Sequence, residues 1–118
     1  MSARPAWLAL AADIGCVLVF CAVGRRSHAE GLTLAGVAAT AWPFLTGTAT
    51  GWLLGRGWRR PTALAPTGVV VWAATVIVGM LLRWLLHAGT ALSFIAVAST
   101  VTAVLLLGWR GLLTAVRR

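Results

Sequence analysis

Four long apolar runs constrain this 118-residue chain more than any other feature: residues 6–24, 32–54, 67–86 and 91–109. Each comes close to the roughly 20 residues that a helix needs to cross a bilayer core. Inside hydrocarbon every backbone polar group must be satisfied within its own segment, so runs of this kind are helices. The connections between them are short, and no stretch remains that could build a soluble core. The expected fold is all-α and integral to a membrane. It is one domain, residues 1–118, in which four transmembrane helices form two antiparallel hairpins with both termini cytoplasmic.

Composition sharpens that reading. The chain is 60% hydrophobic and 10% charged, against about 25% charged for an ordinary soluble domain. Its formal net charge of +8 would suggest nucleic acid in a soluble protein. Here it follows from the arginine that collects on the cytoplasmic flanks of membrane helices. The expected partners are the lipid bilayer of a bacterial plasma membrane and a second copy of the chain or a small membrane complex, and no nucleic acid.

The side holding both termini carries Arg4, Arg56, Arg59, Arg60, Arg110, Arg117 and Arg118, and the other side carries Arg25, Arg26 and Arg83. Seven against three places the termini in the cytoplasm. Trp7, Trp52, Trp58 and Trp109 fall near that boundary and Trp84 near the other, as interfacial anchors do. Trp42 lies about ten residues into the second run, where its indole N–H needs a partner. Residues 1–24 have the basic start of a signal peptide, but the apolar stretch is too long for one and contains Asp13. The first helix is expected to stay. Cys16 and Cys21 share it, on faces too far apart to bond to each other.

Gly47, Gly51 and Gly55 place small residues four apart on one face of the second helix. Such a stripe lets another backbone approach closely. It serves either as the seam of a homodimer or as packing inside the chain's own bundle. Pro43 interrupts the same helix and marks a packed kink or the frame of a site. Residues 32–40 resemble residues 92–100 at a shift of 60, and Gly51-Trp52 is echoed by Gly108-Trp109, as a parallel duplication would produce.

Asp13 is the one acid inside an apolar run. A carboxylate at helix centre costs about 2.5–3.5 kcal/mol on insertion scales, and such residues commonly mark proton relays or ion paths. It lies about 10 Å in from the cytoplasmic edge. Thr46, Thr48 and Thr50 reach equal depth on the second helix, with Thr75, Ser99, Thr100 and Thr102 near that level. A candidate proton, ion or substrate site is therefore Asp13 with Thr46, Thr50 and Trp42. The other reading is a neutral acid bonded to threonines that fixes helix register. Arg83 lies too far toward the opposite boundary to be its counter-ion and is read as snorkelling beside Trp84.

The first outer loop is unusually polar, and Arg25, Arg26, His28 and Glu30 are read as an outer mouth or a headgroup contact. His28 and His87 could face each other from two helix ends, but no carboxylate or cysteine at ligand spacing accompanies them. No metal or other cofactor is expected. Nor does the chain hold a Ser-His-Asp set, paired carboxylates or a phosphate-cradling glycine loop, so it is not expected to be an enzyme.

The string Asp13-x-x-Cys16 through Phe20-Cys21 to Gly24-Arg25-Arg26-x-His28-x-Glu30, with Trp42-Pro43-Phe44, Gly47 and Gly51-Trp52, resembles one family. These are the small actinobacterial membrane proteins known as domain of unknown function 3054. The resemblance covers residues 10–110 and implies four helices in the plasma membrane, with Asp13, Arg25, His28 and Pro43 belonging to the family pattern. It implies no activity. In plan, though not in sequence, the chain is also similar to the small multidrug-resistance exporters, which carry an acid in their first helix. The leading expectation is a proton-linked carrier or permeation protein of small solutes or ions centred on Asp13. The alternative is a non-transporting accessory or structural subunit.

Overall fold

The computed structural model describes residues 5–27, 33–88 and 90–117. Four helices account for nearly all of them: α1 (Ala6–Ser27), α2 (Leu34–Leu54), α3 (Val69–Leu85) and α4 (Leu92–Val116). An irregular turn over Leu64–Gly68 leads into α3. No strand occurs among the described residues. The helices match the four apolar runs, with one consequential difference: α4 continues well past residue 109, where the apolar run ends.

Contacts between helices set their directions. Asp13 near the start of α1 meets Arg110 near the end of α4 and Trp52 at the end of α2. Phe20, further along α1, meets Phe44 of α2 and Phe94 at the start of α4. Gly51 abuts Val71 and Gly47 abuts Thr75, so α3 runs against α2. On α3, Trp72 donates to the carbonyl of Ser99 and the Arg83 guanidinium lies over Phe94. The helices therefore alternate in direction, each packs on its chain neighbours, and α4 closes on α1. The result is a rod of 46 × 24 × 24 Å, comparable in length to the roughly 40–45 Å of a whole bilayer.

The tightest seam is α2 against α3, and the glycine stripe makes it. A Cβ on Gly47 would lie 2.5 Å from the carbonyl oxygen of Ala74, and one on Gly51 would lie 2.7 Å from the Cα of Val71. Only a hydrogen fits between these backbones. Gly55 touches the side chain of Val70 more loosely, and from α3 Gly79 reciprocates by receiving the ring of Phe44. A hydrogen bond of 2.8 Å between the hydroxyls of Thr48 and Thr75 crosses the same seam. Of the two readings of the stripe, internal packing is the one the structure displays. Pro43 is buried within an unbroken α2.

Three helical stretches are long and apolar enough to cross a membrane: Ala6–Arg25, Leu64–Leu85 and Leu92–Val116. With 21 residues α2 is as long, but its threonines, glycines, proline and tryptophans dilute its hydropathy, and it is not among them. The outer faces carry large apolar side chains, among them Leu34, Leu53, Ile77 and Val104. A rod so covered suits hydrocarbon and not water.

Candidate functional site

One end of the rod encloses a charged cluster. Asp13 is fully buried on α1, and so is Arg110 on α4. The guanidinium meets the carboxylate in a two-pronged pair, Nη2 to Oδ2 at 2.7 Å and Nη1 to Oδ1 at 2.8 Å. Two indoles complete the carboxylate's shell. Trp52 Nε1 donates to Oδ2 at 2.8 Å from α2, and Trp109 Nε1 donates to Oδ1 at 3.0 Å from α4. Each carboxylate oxygen thus accepts two hydrogen bonds, and a charge-assisted fork of this kind is among the strongest polar contacts available to a protein.

The arginine is held as closely. Its Nε donates to the carbonyl of Pro61 at 3.1 Å, and Nη1 also donates to the carbonyl of Leu106, one turn back on its own helix, at 3.1 Å. The guanidinium carbon lies 4.4 Å from the centre of the Trp109 ring, a cation–π distance. Two glycines make the room. Gly68 lets the arginine stem pass, since a Cβ there would lie 2.9 Å from Cδ. Gly57 packs flat on the Trp52 indole, where a Cβ would lie 2.5 Å from the ring. Four chain segments at this end, α1, α2, α4 and the connection between α2 and α3, converge on one pair of charges.

Chemically the arrangement is a closed electrostatic knot. Neither carboxylate oxygen has a position left over for a cation, and the group is shut off from solvent. No cluster of three metal-ligating side chains occurs among the described residues.

The structure separates Asp13 from the other residues grouped with it above. Trp42, Thr46 and Thr50 follow one another at intervals of four along α2, on a face turned outward. Trp42 is exposed, and the hydroxyls of Thr46 and Thr50 donate back to the carbonyls of Trp42 and Thr46. The reason is rotational: Gly47, Thr48, Gly51 and Trp52 form the inward face, and Thr46 and Thr50 sit one residue off it. Of the threonine belt, Thr48, Thr75 and Thr102 are buried, and each bonds to a carbonyl four residues back on its own helix.

Arg110 escaped the sequence reading because it follows the last apolar residue of its run and so counts as a cytoplasmic flank. Counting depth from residue 109 leads to Ser99, Thr100 and Thr102, whereas counting from the true end of α4 at Val116 leads to Arg110. Asp13 stands seven residues after the start of α1, and Arg110 stands six before the end of the antiparallel α4. Opposite charges at equal depth on neighbouring helices pair. The echo of Gly51-Trp52 in Gly108-Trp109 was the other visible signal, since those two indoles address the same carboxylate. Trp52 is therefore a buried donor and not an interfacial anchor.

At the opposite end, Arg25 donates to the hydroxyl of Thr40 at 3.1 Å. With Arg83 it lines a small cavity of about 70 Å³ beside Phe20 and Phe94. Arg83, read above as snorkelling beside Trp84, lies 4.6 Å from the Phe94 ring centre. Arg26 belongs to α1, though its side chain is outside what is described, and His28 and Glu30 lie outside the described residues.

No curated protein and no solved structure matches this chain significantly. The family described as Protein of unknown function (DUF3054) matches residues 10–113, a stretch that holds Asp13, Trp52, Trp109 and Arg110. The chain belongs to that family.

Proposed function

We propose that this chain is a four-crossing integral membrane protein whose Asp13–Arg110 knot is a structural clamp, and that it serves as a non-catalytic, non-transporting accessory or structural subunit. The observation that carries this reading is the saturation of Asp13, with two donors on each oxygen. A carrier that exchanges protons or cations at a carboxylate needs a vacant lone pair and a route to it. The expectation of a carrier centred on Asp13, Thr46, Thr50 and Trp42 has correspondingly less support, since the last three face outward.

Four crossings are supported by the ring itself. Because α2 lies alongside α1 and α3 and antiparallel to both, a slab of hydrocarbon that contains those two contains α2 as well. Its lower hydropathy comes from Gly47, Thr48, Gly51 and Trp52 on the inward face and from Trp42, Thr46 and Thr50 outside it, where both threonine hydroxyls are satisfied by the helix's own carbonyls. Cytoplasmic termini are supported by exposed Arg56, Arg59, Arg60 and Arg117 at the charged end. Arg110 leaves that count, because its charge is neutralised inside the bundle. Self-association remains open to the apolar outer faces, although the glycine stripe is occupied by α3.

The test is proton flux in proteoliposomes, read with a pH-sensitive dye under an imposed gradient. The clamp reading expects wild-type protein and Asp13→Asn to leak no faster than empty liposomes. A flux that wild type supports and Asp13→Asn abolishes would overturn it.

A further inference from the structure

The charged end also has an opening. Where α1 meets α4, a cleft of about 330 Å³ runs between Leu8 and Ala12 on one helix and Trp109 and Leu113 on the other, with Pro61 closing one wall. That is roughly ten times the volume one water occupies in the liquid, and apart from Thr62 and the Trp109 indole N–H the walls are apolar. Arg60 directly precedes Pro61 of the lining, and Arg117 follows Leu113 by one helical turn, so the chain sets two exposed arginines next to the cleft. Exposed Trp7 and Trp58, at the same end, mark the level at which indoles meet headgroups.

We propose that this cleft is a binding site for an anionic phospholipid, with one acyl chain between α1 and α4 and the phosphate against Arg60 and Arg117. A greasy slot beside two exposed arginines is complementary to an anionic amphiphile, and guanidinium groups suit phosphate geometry. A second copy of the chain suits it poorly. A two-fold contact would bring the same patch onto itself and oppose Arg60 and Arg117 to their own counterparts. The site reaches the knot directly, because Trp109 lines the cleft and donates to Asp13. Bound lipid would brace that indole from outside, where the cleft opens beside the α1–α4 clamp.

The proposal rests on the membrane reading above, and the two fail differently: a chain recovered without detergent would sink the membrane reading before any lipid is added. The experiment is native mass spectrometry of the detergent-purified full chain, titrated with phosphatidylglycerol or with phosphatidylcholine of identical chains. The proposal expects a single phosphatidylglycerol adduct at about tenfold lower concentration than the phosphatidylcholine adduct, because both lipids bring a phosphate but the choline cation of phosphatidylcholine opposes the two arginines. Arg60→Gln with Arg117→Gln, both at exposed positions, should bring the two lipids level. Leu8→Trp, which narrows the cleft from its lip, should weaken both. Equal adducts of the two lipids in wild type would overturn the proposal, as would a phosphatidylglycerol preference that survives the double glutamine variant. A dimer peak that Leu8→Trp removes would assign the cleft to a second copy instead.

Discussion

The two ends of the bundle solve the same packing problem in opposite ways. At one end Phe20, Phe44 and Phe94 fill the centre, with ring centroids 5.3 to 6.4 Å apart and Phe20 set edge-on to Phe44. At the other end the centre is Asp13, Arg110 and two indoles. The aromatic end is the less directional: edge-to-face geometry adds about 0.5–1.5 kcal/mol, and the rings gain the rest by filling volume. The charged end is directional, because each donor must meet its own oxygen. In a membrane that difference matters, since lipid tails offer helices no hydrophobic drive to associate. The aromatic cluster supplies contact, and the knot supplies register, fixing α1, α2 and α4 by named atoms.

The comparison breaks first if the charged end is cut on one side. Arg110→Gln or Asp13→Asn leaves a buried partner uncompensated, and each should lower unfolding stability by about 3–5 kcal/mol, measured by denaturant titration in micelles. Phe44→Ala at the aromatic end should cost a similar amount through the cavity it leaves, about 3–5 kcal/mol. The ends then part company. Phe20 and Phe44 touch, so Phe20→Leu with Phe44→Leu should depart from the sum by only the about 0.5–1.5 kcal/mol of one aromatic pair, whereas two changes within the knot should couple by about 3 kcal/mol.

A smaller effect separates the two indoles. Trp52→Phe and Trp109→Phe each remove one hydrogen bond to a charged group, about 1.5–3 kcal/mol. The buried Trp52 should be the costlier, because Trp109 is only half-buried and its bond to the carboxylate is the longer, 3.0 against 2.8 Å. The smallest expected change is Thr48→Val, which removes one hydroxyl from the α2–α3 seam at about 0.5–1.5 kcal/mol by the same assay.

Much of the architecture is legible in the chain. The four apolar runs mark the four helices, and the spacing of Gly47, Gly51 and Gly55 announces a close helix contact, although not with which helix. Asp13 stands out as an expensive residue. Its partners do not, for two physical reasons. Hydropathy ends α4 at residue 109, while the helix itself continues to Val116 because Leu112, Leu113 and Val116 still favour it. Tryptophans near a membrane boundary usually face headgroups, so Trp52 and Trp109 read as anchors until their depth is matched to that of Asp13. Thr46 and Thr50 were assigned by depth alone. Rotation decides which way they point, and the glycine stripe beside them already fixes that rotation.

The central claim is that Asp13 and Arg110 act as one clamp, and the most direct test is a double-mutant cycle over Asp13→Leu and Arg110→Met. Unfolding would be followed in micelles for wild type, both single variants and the pair. If the clamp is structural, each single change is severe and the pair recovers most of the loss, with a coupling of about 3 kcal/mol. If the two losses simply add to within about 0.5 kcal/mol, the residues do not act on one another and the account is wrong.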